Sequence, residues 1–314
     1  MEIPLVHILV LNYCALADTL ECIEQVRRIS YPRFRLLVID NNSPDLSGQK
    51  LGALLPQVEF LQTGHNYGYA GGNNIGIARA LREGAEYILI LNPDVRIPRG
   101  VLEDYVSILS RDRAIAALNS IQLQEDGVSI DESFIEGVLA RLGYGDCGSD
   151  FSRFPEVAES EALFGAALFI SAAALRSVGG FDPLYFAYGE ESDLCARLRM
   201  HGYKLAVTAR SPVLHLRTKR GTVSTYVLFL KLRGYYLRRI KSPHANGFRE
   251  LTNAIGIMIR EILRDSRRAY PFNKYEYSRC LIVRVILSLL LLFPIALLHK
   301  AKERRPGAHY IAAH

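Results

Sequence analysis

Three apolar runs, each followed by an Asn or an Asp, constrain the fold of the first 210 residues more than any other feature. Residues 5–11 lead to Asn12, residues 35–39 lead to Asp40, and residues 87–91 lead into Asn92-Pro93-Asp94. A short run that is almost wholly apolar is the pattern of a strand covered on both faces. Helical spacings lie between the runs. Leu20, Ile23, Val26 and Ile29 follow Asp18 and Glu21, a pair that resembles a capping box. Residues 74–82 and 101–109 are further predicted helices, and residues 58–61 a short strand. The alternation predicts an α/β fold with a mostly parallel sheet and helices on both faces. Ligands of such sheets bind beyond the carboxyl ends of the strands. Asn12, Asp40 and Asp94 therefore converge on one edge.

Each polar motif has a chemical and a bland reading. Asp40-Asn41-Asn42-Ser43-Pro44 is either an Asx-type turn or an acceptor for a base N–H or a ribose hydroxyl. The stretch from Asn66 to Gly76, with Gly68, Gly71, Gly72 and Asn74 inside it, runs into a helix. Its glycines would let backbone approach a ligand, and a helix N-terminus favours anions; the alternative is a flexible loop. Asp94, after Asn92, is either a helix cap or a ligand for a hard divalent ion on a diphosphate. His215, between apolar residues, is either packed in the core or a metal ligand. Glu190-Glu191-Ser192-Asp193 opens an amphipathic stretch. These acids could complement a helix dipole or accept a proton. Gly179-Gly180-Phe181-Asp182 and then Phe186 and Tyr188 precede them, in a pattern suited to a pocket wall.

Charge divides the chain. Residues 1–216 carry 18 Lys and Arg against 27 Asp and Glu, and residues 217–314 carry 20 against 5. The acidic part would carry the chemistry and the basic part would face something anionic. Residues 281–298 are apolar except for Arg284 and Ser288, which points to a membrane surface rather than nucleic acid. Arg284 and Pro294 interrupt this run, and basic residues flank both ends. A single span would send one basic flank outside, so helices lying in or dipping into the inner leaflet are expected, with a buried core helix as the alternative. The expected units are residues 1–220 and 221–314. The five cysteines show no CxxC spacing, so neither a zinc ribbon nor a disulfide framework is expected. The N-terminus lacks the basic region of a secretory leader.

In order along the chain, these motifs resemble the bacterial inverting glycosyltransferases of family 2, with the GT-A fold. The nearest group is the rhamnosyltransferase-like enzymes of cell-surface polysaccharide assembly. The resemblance rests on Val10-Leu11-Asn12-Tyr13, Val38-Ile39-Asp40-Asn41-Asn42-Ser43, Asn66-x-Gly68-x-Ala70-x-Gly72-x-Asn74-x-Gly76 and Leu91-Asn92-Pro93-Asp94. It continues through Phe164-Gly165-Ala166, Val178-Gly179-Gly180-Phe181-Asp182, Glu190-Glu191-Ser192-Asp193-Leu194 and His215. Two positions depart from the family: Glu191 stands where it usually has Asp, and Cys14 where it commonly has Asn.

The resemblance implies an inverting single displacement from a dTDP-, UDP- or GDP-linked sugar, with rhamnose as the suggested sugar. The acceptor would be a hydroxyl of a lipid-linked molecule or a glycan, at the cytoplasmic face of the cytoplasmic membrane. Asn12, Tyr13, Asp40, Asn42, Asn66, Gly72, Asn74 and Asn92 would hold the nucleotide. Asp94 with His215 would hold Mg²⁺ or Mn²⁺. Gly165, Ala166, Glu190 and Asp193 would face the acceptor. Glu191 is the expected base, with Glu190 and Asp193 as alternatives. Two other classes remain open: a sugar nucleotidyltransferase, which would usually carry a basic Gly-rich loop after the first strand, and an inactive membrane-associated relative. Residues 120–160, rich in Gly and charge, are read as a mobile acceptor loop.

Overall fold

The computed structural model describes residues 2–145, 154–217, 223–263 and 277–311. Its first half is a parallel α/β unit: β1 (Val6–Asn12), α1 (Leu16–Val26), β2 (Phe34–Asp40), α2 (Ser47–Leu54), β3 (Glu59–Gln62), α3 (Gly68–Arg82) and β4 (Tyr87–Leu91). β1 pairs in parallel with both β2 and β4, and the register sets Asn12 beside Asp40. Alternate residues of these strands enter different cores, as the two-residue repeat of a strand requires. Leu9, Leu37, Ile39 and Ile90 pack on one face, and Ile8, Val10, Val38 and Leu89 on the other.

The second half adds β5 (Val95–Arg96), α4 (Val101–Arg111), β6 (Ile115–Leu123), α5 (Glu132–Gly137), β7 (Val157–Ser160), β8 (Ala167–Ser171), α6 (Ala172–Val178), α7 (Glu190–Met200) and β9 (Lys204–His215). The sheet runs β3-β2-β1-β4-β8-β6-β9-β5, with β7 also on β9. β8 is antiparallel to β4 and to β6, while β6 and β9 are parallel. Only the first four strands form the all-parallel block that the apolar runs describe. The rest of the sheet is mixed.

Three helices follow: α8 (Thr225–Lys241), α9 (Gly247–Leu263) and α10 (Arg279–Glu303). They share a core of their own, built from Leu232, Tyr236, Leu251, Met258, Val285 and Leu289. α10 runs unbroken through Pro294. The residues after it return to the α6–α7 connection, where Gly180 N–H donates to the His309 carbonyl at 2.9 Å and Gly307 N–H to that of Ser177 at 2.6 Å.

Several expectations are corrected. Asp18 and Glu21 do not form a capping box. α1 starts after Ala15 with no side-chain cap. Asn12 Oδ1 takes that place from outside, accepting from Ala15 N–H at 3.2 Å and the Thr19 hydroxyl at 3.0 Å. Residues 68–76 are not a loop but the first turns of α3. Glycine there costs roughly 1 kcal/mol per residue in helix propensity, and sheet packing demands it. A Cβ on Gly72 would stand 2.7 Å from Leu11 Cδ1, and one on Gly76 2.5 Å from Ile39 Cδ1. Residues 120–145 are also ordered, since Phe134, Val138 and Leu139 are buried. Burial of each such side chain contributes about 1.5–3 kcal/mol. Residues 146–153 of the expected acceptor loop lie outside the described residues.

Candidate active site

Asp94 owes its position to two short ladders. Asn92 N–H donates to the Ala166 carbonyl at 2.8 Å, and Val95 N–H turns back to that of Asn92 at 3.1 Å. β5 then pairs with β9 so that Val95 lies opposite His215, and Leu216 N–H donates to the Asp94 carbonyl at 2.9 Å. The result is an Asp94 Oδ2 to His215 Nε2 separation of 3.7 Å. On its other side His215 Nδ1 meets Gln122 Oε1 at 3.0 Å. An amide oxygen only accepts, so Nδ1 is the donor of this pair, and Nε2 is the ring atom that faces Asp94. A ring oriented in this way by a second residue is the usual state of a metal-ligating histidine.

Glu190 and Glu191 arrive from a strained turn. Phe186, Tyr188 and Gly189 have φ of 63°, 68° and 108°, and α7 starts at once. Two left-handed non-glycine residues in one short turn persist only where surrounding structure holds them. α8 supplies that hold, with Gly234 so close to the Tyr188 carbonyl that no Cβ would fit. The two carboxyls hydrogen-bond each other, and one oxygen of each has no protein partner. Burial, and next the charge of Glu191, push Glu190 well above the usual carboxylate range. Burial also raises Glu191, although backbone N–H groups and the Glu190 hydrogen bond oppose it. Their mutual hydrogen bond raises Glu190 and lowers Glu191, which makes Glu190 its donor.

Asp94, His215, Glu190 and Glu191 line one cleft of about 980 Å³, with Asn92, Gly165 and Ala166. Asn119 on β6 holds the Phe164–Ala167 stretch of its wall, donating to the Phe164 and Ala167 carbonyls and accepting from Phe164 N–H. Tyr69, absent from the sequence-based site, reaches in from α3 and donates to the Gly165 carbonyl at 2.8 Å. Burial, then Glu190, Glu191 and Asp94, raise its phenol well above 10. Ser133, Tyr188, Arg217 and Lys231 also line the cleft. Tyr69 lay inside a noticed motif. Lys231 had no sequence signal, because its position depends on where α8 docks.

The remaining expected site residues do not line this cleft. Asn12 Nδ2 donates to Asp40 Oδ1 at 2.7 Å, to Ser43 at 3.1 Å and to Ser47 at 3.0 Å. Asp40 is fully enclosed and accepts also from Ser43 and Gln62. Its carboxylate ties β1, β2 and β3 together and is closed to a base. Asn66 accepts from Asn41 and from Gly68 N–H. Gly72 is packed under Leu11. Asn74 is a two-way clamp, donating to the Phe181 carbonyl at 2.7 Å and accepting from its N–H at 2.8 Å. Tyr13 and Asn42 are exposed at the sheet's carboxyl edge, the place expected for a nucleotide.

Asp193 faces away from Glu191 into a buried ion cluster. Lys241 Nζ, at the end of α8, bonds Asp182, Asp193 at 2.8 Å and Glu303 at 2.7 Å. Arg197 Nε adds a second cation at 2.8 Å from Asp193. The three carboxylates lie within 4.8 Å of one another, the spacing of a metal site. The Lys241 ammonium already occupies their centre, so this cluster is structural. Burial pulls the Asp182 carboxyl up, but the His299 hydrogen bond and the Lys241 charge prevail and hold it at about 2.

A parallel sheet extended by antiparallel strands, with an Asp just past the fourth strand and a carboxylate pair across the cleft, defines a GT-A sugar transferase. The chain belongs to glycosyl transferase family 2: that family's model matches residues 6–138, and the glycosyl transferase family group 2 model matches residues 87–300. It is 28% identical over 268 residues to an N-acetylglucosaminyl-diphospho-decaprenol L-rhamnosyltransferase of Mycobacterium tuberculosis, covering 74% of this chain and 86% of that one. It is 24% identical to a low-salt glycan biosynthesis hexosyltransferase of Haloferax volcanii, covering 73% and 74%. Among solved structures, a Pyrobaculum calidifontis mannosyltransferase in complex with GDP-Man and Mn²⁺ superposes with a TM-score of 0.51 at 20% identity, covering 96% of this chain and 74% of that one. S. aureus TarS with UDP-GlcNAc gives 0.54 at 13%, covering 96% and 88%. These structures share the fold.

Proposed function

We propose that this transferase moves a sugar from a nucleoside diphosphate to a hydroxyl of a lipid-linked acceptor by a single displacement that inverts the anomeric carbon. The carrying observation is that Asp94, His215, Glu190 and Glu191 line one cleft. Asp94 and His215 would hold Mg²⁺ or Mn²⁺, and the 3.7 Å between His215 Nε2 and the Asp94 carboxylate at the cleft wall fits that role. Bound there, the ion supplies positive charge for the departing diphosphate. Glu191 takes the acceptor hydroxyl's proton as its oxygen attacks, and Glu190, kept protonated by burial, orients Glu191. Gly165, Ala166 and Tyr69 shape the acceptor side. Tyr13 and Asn42 contact the nucleoside at the sheet edge, while Asn12, Asp40, Asn66, Gly72 and Asn74 set its frame without touching it. The mycobacterial relative, an N-acetylglucosaminyl-diphospho-decaprenol L-rhamnosyltransferase, supports a diphospholipid acceptor and rhamnose as the sugar. The basic C-terminal region supports a site at the cytoplasmic face of the membrane.

Calorimetry with dTDP, UDP and GDP, in Mg²⁺ or Mn²⁺ and then in EDTA, tests this reading. One nucleotide binds with metal and not with EDTA, and Asp94→Ala loses that binding while staying folded. Folded wild-type protein that binds none of the three with metal present sinks it.

A further inference from the structure

We propose that α9 and α10 form one docking face for an anionic bilayer, with α10 lying along the membrane plane and not across it. This sharpens the membrane partner of the preceding section and does not depend on the donor or the base.

α10 has two unlike sides. Leu281, Val285, Leu289, Ala296, Lys300 and Glu303 are buried. They recur at helical spacing along the whole element. The opposite side carries Val283, Leu287, Leu290, Leu291, Ile295 and Leu298, all exposed, with Leu291 at 77% and Leu298 at 69%. Arg284 is the one charge among the exposed residues of positions 281–298. Such a face, roughly half of a helix about 37 Å long, exceeds what a soluble surface usually leaves uncovered.

α9 extends it. Phe248, Ile259 and Leu263 are exposed on α9. The Phe248 ring lies 6.1 Å from that of Phe293, and Gly247 sits against Leu297, so the two apolar edges are continuous. Exposed bases border this surface: Arg249 and Arg260 on α9, Arg279 at the start of α10, and Lys302, Arg304 and Arg305 at its end. Glu261 is the half-buried acid near this border, and Glu250 is paired with Arg239. An apolar strip edged by cations matches the headgroup boundary of an anionic leaflet.

A crossing is excluded by what covers the other side. Protein packs against α10 from Leu281 to Glu303, and that protein is α8 and α9. Lys231, Arg233, Arg238 and Lys241 stud α8, and Arg249, Glu250, Arg260 and Glu261 stud α9. Taking α10 through the hydrocarbon would take these charges to its depth, at a cost of several kcal/mol each. Glu303 is held by Lys241 beside α7, so that end stays with the catalytic unit.

The chain has no tryptophan, so a single introduced one reports its own depth. Val283→Trp, Leu291→Trp and Leu298→Trp, each at an exposed position, are added separately to vesicles containing phosphatidylglycerol. Their quenching by lipids brominated at successive acyl positions is then measured. All three are expected to shift to the blue and to lie at one depth, about 5–10 Å below the headgroups, with little shift on purely zwitterionic vesicles. A Leu291→Trp signal near the bilayer centre, with the other two shallower, means a crossing and overturns the proposal. So does the absence of any shift on vesicles, or a shift set by protein concentration alone, which would place a second copy on this face. Nucleotide binding measured on the same variants reports separately on the donor site.

Discussion

Two groups of carboxyls meet at α7 within a turn of each other, at Asp193 and at Glu190 with Glu191. They differ in what answers their charge, although burial and Asp193 raise Glu303 of the first group as well. Asp193, with Asp182 and Glu303, is met by Lys241 and Arg197. Glu190 and Glu191 meet mainly each other, and open toward the cleft. Burial costs a charge heavily in both places. Where cations answer it, Asp182 stays ionised down to about 2. Where little does, burial pushes Glu190 and Glu191 above the ordinary carboxylate range, with Arg238 as the cation that opposes it at Glu191. The difference is one of neighbours, not of residue type: the compensated group ties α7, α8 and α10 together, and the uncompensated pair faces the cleft where we propose the chemistry.

The widest separation between the two groups is expected in turnover. Glu191→Gln should lower kcat by about 10²–10⁴-fold, with nucleotide binding kept and thermal stability unchanged or raised. Unchanged turnover would remove Glu191 as the base and break the contrast. Lys241→Met should do the reverse. It leaves three carboxylates without their central cation and should cost about 3–5 kcal/mol in denaturant unfolding. Added Mg²⁺ or Mn²⁺ should not restore it. Restoration would mean that the cluster is a metal centre after all.

The smallest effect is in pH. For Asp182 the folded value lies below the unfolded 3.8, so its contribution is present above 3.8 and fades as pH falls toward 2. For Glu190 and Glu191 the folded values lie above 4.5. Their contribution is therefore full below 4.5 and is lost as pH rises through the raised values. The acid limb of kcat should correspondingly sit above the ordinary glutamate range. It should move when Glu190→Met removes the hydrogen bond to Glu191. A limb at the ordinary value in both proteins would argue against a buried base.

Much of this site was legible because its residues follow strand ends and helix starts. Asp94, Glu190 and Glu191 stand out by local pattern, whereas Asn92 and His215 are singled out through the family resemblance, and all five line the cleft. What misled was packing. The predicted helix starts at residue 74, yet α3 already includes Gly72, and Gly72 and Gly76 let that helix lie against Leu11 and Ile39. β6 and β9 escaped notice because polar residues break their pattern. In β6 these are Asn119 and Gln122, both buried, which hold the cleft wall and His215. Asp193 could not be told from Glu191 without its partner Lys241, 48 residues further along.

The return of the chain after α10 has a practical consequence. Removing the apolar helix is the obvious way to make such an enzyme tractable in water. Here that truncation would also discard Glu303, the Tyr310 hydroxyl that bonds it at 2.7 Å, and the His309 carbonyl that closes the α6–α7 connection. The trimmed protein would lose ties to α7, the element that carries Glu190 and Glu191. Surface substitutions at Leu287, Leu291 and Leu298 are the better route to a soluble and active preparation.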